Sequence, residues 1–210
     1  MSLSRSLYII DYGAEDLHSV QMVFERLGVD VVVGGDPKAL RNAPALVLAG
    51  VGAFGHMRQL EEKGLVEPLL MRIEAGVPFL GVCLGLQLLF EASEEEQGVK
   101  GLGVLRGDVR ALPDSVKEPH IGWSRVEACT CSDLFEDIPE GSAFYFAHGY
   151  AVVPRSPGDV LAVTDHDGVV FVSAVEAGNV VGVQFHLEES GAVGSRFCRN
   201  FARRAGLEAA

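Results

Sequence analysis

Apolar residues in the first half of the chain fall in short runs: Leu7–Ile10, Val29–Val33 (broken only by Asp30), Ala45–Leu48 and Pro78–Val82. Runs of this length bounded by turn residues read as buried strands. Between them the period changes. Leu17, Val20, Val23, Phe24 and Leu27 recur at helical spacing, with Asp16 placed to cap that helix and Gly28 to end it. Further helices are predicted near Met57–Glu62, near Val66–Ala75, and from Leu84 to about Ala92. Continuous apolar strands alternating with helices argue for an α/β fold with a parallel central sheet covered on both faces. Ligands in such sheets bind at the carboxyl ends of the strands. Asp11-Tyr12-Gly13, Gly50-Val51-Gly52 and Cys83 all fall at those ends and should share one crevice.

After Ser93–Gln97, which reads as a solvated acidic turn, the pattern is different. Val104–Leu112, Trp123–Ala128, Ala143–Ala147, Tyr150–Val153, Val160–Thr164, Val169–Val175 and Val180–Phe185 all look like strands. Pro, Gly, Asn and Asp clusters separate them at spacings that suit antiparallel hairpins. Gly194–Arg204 closes the chain as a helix with Phe197 and Phe201 on one face. No repeat, linker or composition break divides the sequence, so residues 1–210 are expected to form one domain.

Charge narrows the partners. Seventeen basic against 29 acidic residues leave a net charge of −12, whereas nucleic-acid binding needs a basic face. No apolar run approaches the ~20 residues that span a bilayer, and the N-terminus lacks the apolar core of a signal peptide. Four cysteines at irregular spacings suggest no disulfide framework, and a reducing cytoplasm is the expected compartment. Cys129 and Cys131 are too close for the usual zinc spacing and, like Cys198, read as structural. No metal or cofactor is implied.

One cysteine stands apart. Gly81-Val82-Cys83-Leu84-Gly85 sits between a predicted strand and a predicted helix, in the pattern of a nucleophile elbow. Glycines are needed there because a Cβ would crowd neighbouring backbone, and a helix N-terminus favours a thiolate. The competing reading is a buried structural cysteine. A nucleophilic sulfur needs a base and something to orient it. His18, His56 and His166 read as solvated or capping; His186 ends a buried strand, and Glu188 follows two residues later. Residues i and i+2 of an extended stretch point the same way, so Glu188 can reach Nδ1 and leave Nε2 for the sulfur. His-x-Glu alone does not identify a dyad.

Together, Gly81–Gln87, Gly50–Gly52 and Gln184-Phe185-His186-Leu187-Glu188 resemble the class I (triad) glutamine amidotransferases. Asp11–Gly13, Gly50–Gly55, Pro119–Trp123 and Phe144–Tyr150 narrow the likeness to the glutaminase subunit of imidazole glycerol phosphate synthase, in family order from about Leu7 to Phe201. The resemblance implies a flavodoxin-like sandwich that hydrolyses glutamine to glutamate and ammonia. It implies Cys83 as nucleophile, His186 as proton shuttle and Glu188 as its orienter. The N–H groups of Leu84 and Val51 would form the oxyanion hole, the Gly50-Val51-Gly52 loop rearranging to turn the Val51 N–H inward. Substrate contacts would come from Gly50, Gly52, Gln87, His148, Gly149 and Tyr150, although Gln87 can also be read as an ordinary helix residue and His148 as a core histidine.

The implied partner is a (β/α)₈ cyclase subunit that consumes the ammonia, with Trp123 at the interface or, equally, in the core. The sequence departs from the family pattern on that side. Glu15-Asp16 stands where Gly-Asn is usual, Ser124 where asparagine is, Glu189 where lysine is, and Ala49 where proline is. A rim charge reversal turns attraction into repulsion. Competing readings are a paralogous subunit feeding another synthase, a non-catalytic scaffold, and a stand-alone cysteine hydrolase.

Overall fold

Alternation of apolar residues on both faces of four neighbouring strands sets the architecture. The computed structural model describes residues 6–207. Strands β1 (Leu7–Ile10), β2 (Val31–Gly34), β3 (Ala45–Leu48) and β4 (Phe79–Val82) pair in parallel in the order β2-β1-β3-β4. Leu7 and Ile9 join one core while Tyr8 and Ile10 join the other, as the two-residue period requires. Helices α1 (Leu17–Arg26) and α6 (Gly191–Arg204) cover the first face, where Phe24 meets Phe201 edge-on at 6.4 Å. On the second face lie α2 (Pro37–Leu40), α3 (Met57–Glu62) and α4 (Val66–Glu74), which contribute Leu40, Leu60, Leu69 and Ile73.

Beyond β4 the sheet takes in strands from the second half of the chain, most of them paired antiparallel. It continues through β13 (Val180–Val183), β12 (Val169–Ala177), β10 (Tyr150–Pro154), β6 (Gly107–Ala111) and the two-residue β5 (Ala92–Ser93). Strands β11 (Val160–His166) and β8 (Glu127–Ala128) branch from β12. A separate antiparallel pair, β7 (His120–Arg125) and β9 (Ala143–His148), packs beside it. The α/β sandwich with a parallel centre and an antiparallel extension is therefore the observed fold. One strand expected among the hairpins belongs to both parts: β13 pairs antiparallel with β12 but parallel with β4, Gly182 opposite Gly81 and Val183 opposite Val82. All four of its residues are buried.

Several expectations need correction. Val29–Val33 is not a buried strand. The strand begins at Val31, lies at the sheet edge against β1 alone, and leaves Val33 exposed, because nothing covers an edge on its outer side. The helix after Cys83 does not reach Ala92. Helix α5 is the single turn Leu84–Gln87. The carbonyls of Leu88, Leu89 and Phe90 accept instead from the N–H groups of Leu102, Leu105 and Gly103, and those tertiary bonds replace the next helical turn. Asp16 does not cap α1 with its side chain. It has a left-handed backbone, and its carboxylate takes the Ser19 hydroxyl at 2.6 Å. The acidic turn is not merely solvated: Glu95 accepts the Phe54 N–H at 2.7 Å, Glu94 that of Ala111 at 3.1 Å, and Glu96 pairs with Arg58 at 2.9 Å. Among the described residues no helix is long and apolar enough to cross a membrane.

Candidate active site

Backbone geometry at Cys83 is that of an elbow. Its φ and ψ are 52° and −105°, a combination that is strained for a residue with a Cβ. The surrounding sheet holds it there, since the Cys83 N–H donates to the Val183 carbonyl at 2.8 Å. The flanking glycines are sterically required: a Cβ on Gly81 would lie 2.7 Å from the Gly85 carbonyl oxygen, and one on Gly85 would lie 1.7 Å from that of Leu48. Cys83 is 6% exposed. The first N–H groups of α5 have no partner within the helix, a general property of helix starts that leaves Leu84 able to serve an anion.

His186 and Glu188 are brought to this cysteine by β13. Beyond Val183 the chain bends at Gln184 and Phe185 and turns at residues 187–189, with the Gln184 N–H on the Ser173 carbonyl at 2.9 Å and the His186 N–H on the Tyr145 carbonyl at 2.8 Å. Phe185 and Leu187 enter the core on one side. Gln184 Nε2 and the His186 ring both lie against Cys83, and Glu188 meets the His186 ring. His186 Nδ1 lies 2.7 Å from Glu188 Oε1, with both side chains almost wholly buried. Nε2 makes no hydrogen bond, and the Cys83 sulfur is near enough to act on the ring's proton affinity. Burial opposes the charged ring, but Cys83 and Glu188 outweigh it and push the His186 pKa up to about 11. The resting arrangement favours a proton on the imidazole.

The sign of the pH effect follows from that shift. A group whose folded pKa is raised contributes stability that is complete below its unfolded value of about 6.5 and lost as the pH rises through about 11. Glu188→Gln removes one of the two groups that hold the proton. It is expected to lower the melting temperature at pH 7, and the deficit should shrink as pH rises toward 11. Nitrogen-15 NMR should show the His186 ring protonated at pH 7 in the native protein and titrating at lower pH in the variant.

Of the two N–H groups expected to form an oxyanion hole, that of Val51 is already taken. The Val51 N–H donates outward to the Glu15 carbonyl at 3.3 Å, and Val51 itself is 43% exposed. Both glycines beside it have left-handed φ, 151° at Gly50 and 144° at Gly52. A Cβ on Gly50 would meet Ala14 at 2.4 Å, and one on Gly52 would meet the His56 ring at 2.4 Å. The loop is thus held at the carboxyl end of β3 by a single backbone bond, between two residues for which peptide rotation is sterically cheap.

Of the predicted substrate contacts, Gly50 and Gly52 stand in the loop after β3, whereas Gln87, His148, Gly149 and Tyr150 lie together with much of their bonding capacity used internally. Gln87 Nε2 donates to the Tyr150 carbonyl at 3.1 Å and to Gln184 Oε1 at 3.2 Å. The Gly149 carbonyl takes the Leu112 N–H. His148 is a satisfied, buried histidine: Nδ1 meets the Tyr150 carbonyl at 2.9 Å, and Nε2 meets His120 Nδ1 at 3.1 Å. Because a carbonyl only accepts, His148 must carry its proton on Nδ1; His120 Nδ1 must then donate, and the Ser124 hydroxyl donates to His120 Nε2 at 2.8 Å. Burial, with His166 alongside, pushes the His120 pKa down to about 4, and burial pushes His148 down to about 3. Both stay neutral, as this proton order requires. His166 is not a solvated turn residue. It stacks on His120 with ring centres 4.0 Å apart and bonds the Lys117 carbonyl at 2.8 Å. His56 packs edge-on against Tyr12 and bonds the Ala53 carbonyl.

Trp123 is exposed, not in the core. It is 57% exposed on the outer face of β7, next to Ile121 at 63%, with its ring edge-on to Tyr145 at 6.0 Å. Tyr145 is the residue whose backbone pairs with His186. Glu15, Asp16 and Glu189 are exposed as well. Sequence reasoning passed over Gln184, His120 and the role of Ser124. Gln184 carried a usable signal, since it is a polar residue at the end of an apolar run and only two residues before His186. Among the described residues no cluster of three or more His, Cys, Asp or Glu side chains is placed to hold a metal ion.

An elbow cysteine with a buried, carboxylate-oriented histidine on a parallel sheet defines a cysteine-nucleophile hydrolase of the α/β class. Comparison with known proteins is more specific. The family model for glutamine amidotransferase class-I matches residues 8–205, and the chain belongs to that family. It is 46% identical over 198 residues to the imidazole glycerol phosphate synthase subunit HisH of Moorella thermoacetica, covering 94% of each chain. It is 48% identical over 199 residues to the HisH subunit of Aquifex aeolicus, covering 94% of this chain and 96% of that one. Among solved structures, a glutamine amidotransferase superposes with a TM-score of 0.76 at 20% identity, covering 95% of this chain and 98% of that one. The glutaminase domain of Trypanosoma brucei CTPS with bound acivicin gives 0.69 at 19% identity, covering 98% and 95%. These two likenesses show the fold.

Proposed function

We propose that the chain is the glutaminase subunit of imidazole glycerol phosphate synthase, a cytoplasmic enzyme of histidine biosynthesis that passes ammonia to a (β/α)₈ cyclase subunit. The observation that carries this reading is the near full-length identity of 46% and 48% to two HisH subunits, in a chain that keeps Cys83, His186 and Glu188 together. Cys83 thiolate attacks the side-chain amide carbon of glutamine. As the C–N bond breaks, protonated His186 gives its proton to the departing ammonia, leaving a γ-glutamyl thioester. Neutral His186 then takes a proton from water, whose oxygen displaces the sulfur and releases glutamate. Glu188 keeps the ring in register through both steps.

With both Gln87 N–H groups occupied, its Oε1 is the atom left to accept from the substrate's ammonium. The oxyanion hole is completed when the Val51 N–H leaves the Glu15 carbonyl and joins Leu84. Such a site is slow until something favours the turned loop, which gives a partner a means of control. Ile121 and Trp123 are the exposed apolar anchors for that partner, and an acidic chain of net charge −12 favours a surface carrying basic groups.

The test is to mix the protein with a cyclase subunit and follow glutamate release with and without the cyclase's ligand. Complex formation and stimulation of at least about tenfold are expected, since one missing oxyanion donor typically costs 10²–10³ in rate. Trp123→Ala should weaken the complex by about tenfold or more, as loss of a central aromatic anchor does. No complex and no stimulation would favour a paralogous subunit serving another synthase, for which the exposed charge at Glu189 is the specific pointer.

A further inference from the structure

Gln184 is fully buried, at 0% exposure, and lies one residue beyond β13 with its side chain turned toward α5. Its Oε1 accepts from Gln87 Nε2 at 3.2 Å, and its Nε2 lies 3.6 Å from Cys83 Sγ. An amide oxygen only accepts, so the bond from Gln87 leaves the NH2 end facing the sulfur. Gln87 is fixed in turn, because the same nitrogen donates to the Tyr150 carbonyl at 3.1 Å, and that carbonyl also takes the proton on His148 Nδ1 at 2.9 Å. Rotating the Gln184 amide would break this order and leave buried groups unpaired. The bend that follows β13 leaves the Gln184 and His186 side chains against the same cysteine.

We propose that Gln184 is a catalytic residue whose side-chain N–H donates to the Cys83 sulfur, stabilising the thiolate before attack and again as it leaves the thioester. The inference rests on Cys83 being the nucleophile. Helix α5 has only one turn, so few aligned peptides face the sulfur, and a direct donor in a buried site supplies what a long helix would. His186 supplies the proton, while Gln184 supplies a neutral donor that does not change protonation during the cycle. No atom is exchanged with Gln184, and the proton balance of the reaction is unaltered.

Gln184→Glu and Gln184→Leu separate this role from packing. Glutamate keeps the size of the side chain and an acceptor for Gln87 but presents oxygen to the sulfur; leucine removes both polar ends. Iodoacetamide alkylation of Cys83 at pH 7, followed on its own peptide by mass spectrometry, is expected to slow about tenfold in Gln184→Glu and severalfold in Gln184→Leu, because a hydrogen bond to a charged group is lost. Exposed Cys129 and Cys131 serve as internal references whose rates should not change. In the complex with the cyclase subunit, kcat for glutamine hydrolysis should fall by a similar factor with KM within about twofold.

A Gln184→Glu protein that melts like the native one and whose Cys83 alkylates within twofold of it would overturn the proposal. A variant that does not fold leaves the decision to the native protein, in which the Gln184 side-chain NH2 resonances should shift when Cys83 is alkylated. Unmoved resonances would also sink the idea. Alkylation reads the sulfur without glutamine, so a failure of the glutaminase reading shows as absent glutamate release while the Gln184 effect on Cys83 persists.

Discussion

Cys83→Ser is expected to reduce glutamate release by at least about a thousandfold while leaving the fold unchanged. Serine is smaller by little and takes the same place on the elbow, where φ and ψ are set by the pairing of Cys83 with Val183 and not by the sulfur. What changes is the chemistry. A thiol is intrinsically far more acidic than a hydroxyl and its sulfur the stronger nucleophile, so serine in the same place must lose its proton during an already slower attack. Residues that act as a unit lose most of their effect together, so His186→Ala should be similarly damaging and the double variant little worse. The measurement is glutamate release in the presence of the cyclase subunit, with circular dichroism and melting temperature as the check on folding. More than about one per cent residual activity in a well-folded Cys83→Ser protein would remove Cys83 from the mechanism.

Gly85→Ala should have the largest effect on stability, about 3–5 kcal/mol, and should abolish activity with it. The added Cβ would stand 1.7 Å from the Leu48 carbonyl oxygen and 2.6 Å from its carbon. Neither partner can retreat. Leu48 ends β3, which is held between β1 and β4, and α5 is tied to the sheet through Cys83. Relief would require moving the elbow away from β3, and the nucleophile and Leu84 N–H would move with it. Gly158 offers the comparison: its backbone is not left-handed, and an added Cβ would meet only the Ser156 hydroxyl at 3.8 Å. Gly158→Ala is expected to stay within about 0.5 kcal/mol of the native protein. Chemical denaturation of the two variants side by side gives the test, and a Gly85→Ala protein as stable as Gly158→Ala would show that the elbow can yield.

Local sequence reached the core of the site because each part is a local pattern. Gly81 is crowded by Gly85 of the same elbow, although Gly85 is crowded by Leu48 of β3, and His186 and Glu188 are close enough in the chain to meet at a turn. Where prediction failed, a distant segment had intervened. The helix after Cys83 stops at Gln87 because the Leu102–Leu105 stretch takes the carbonyls that would have continued it. Glu94, Glu95 and Glu96 look solvated until the N–H groups of Ala111 and Phe54 and the Arg58 side chain are placed against them. His120 and His166 lie far apart in sequence, and only the packing of β7 against the end of β11 stacks their rings.

By itself the sequence determined the alternating α/β pattern, the strained turn that carries Cys83, and the pairing of His186 with Glu188. These are legible from side-chain periods, from the glycines that flank the cysteine and from the closeness of His186 and Glu188 in the chain. Only the tertiary structure decided that β13 returns from the antiparallel half to lie against β4, so that a histidine 103 positions after the cysteine in the chain stands beside it. It alone decided that the Val51 N–H is spent on Glu15 and that Gln184 faces the sulfur. The reason is that strand pairing and hydrogen-bond choice are competitions among all available partners, and the winner depends on which segments the whole fold brings within reach.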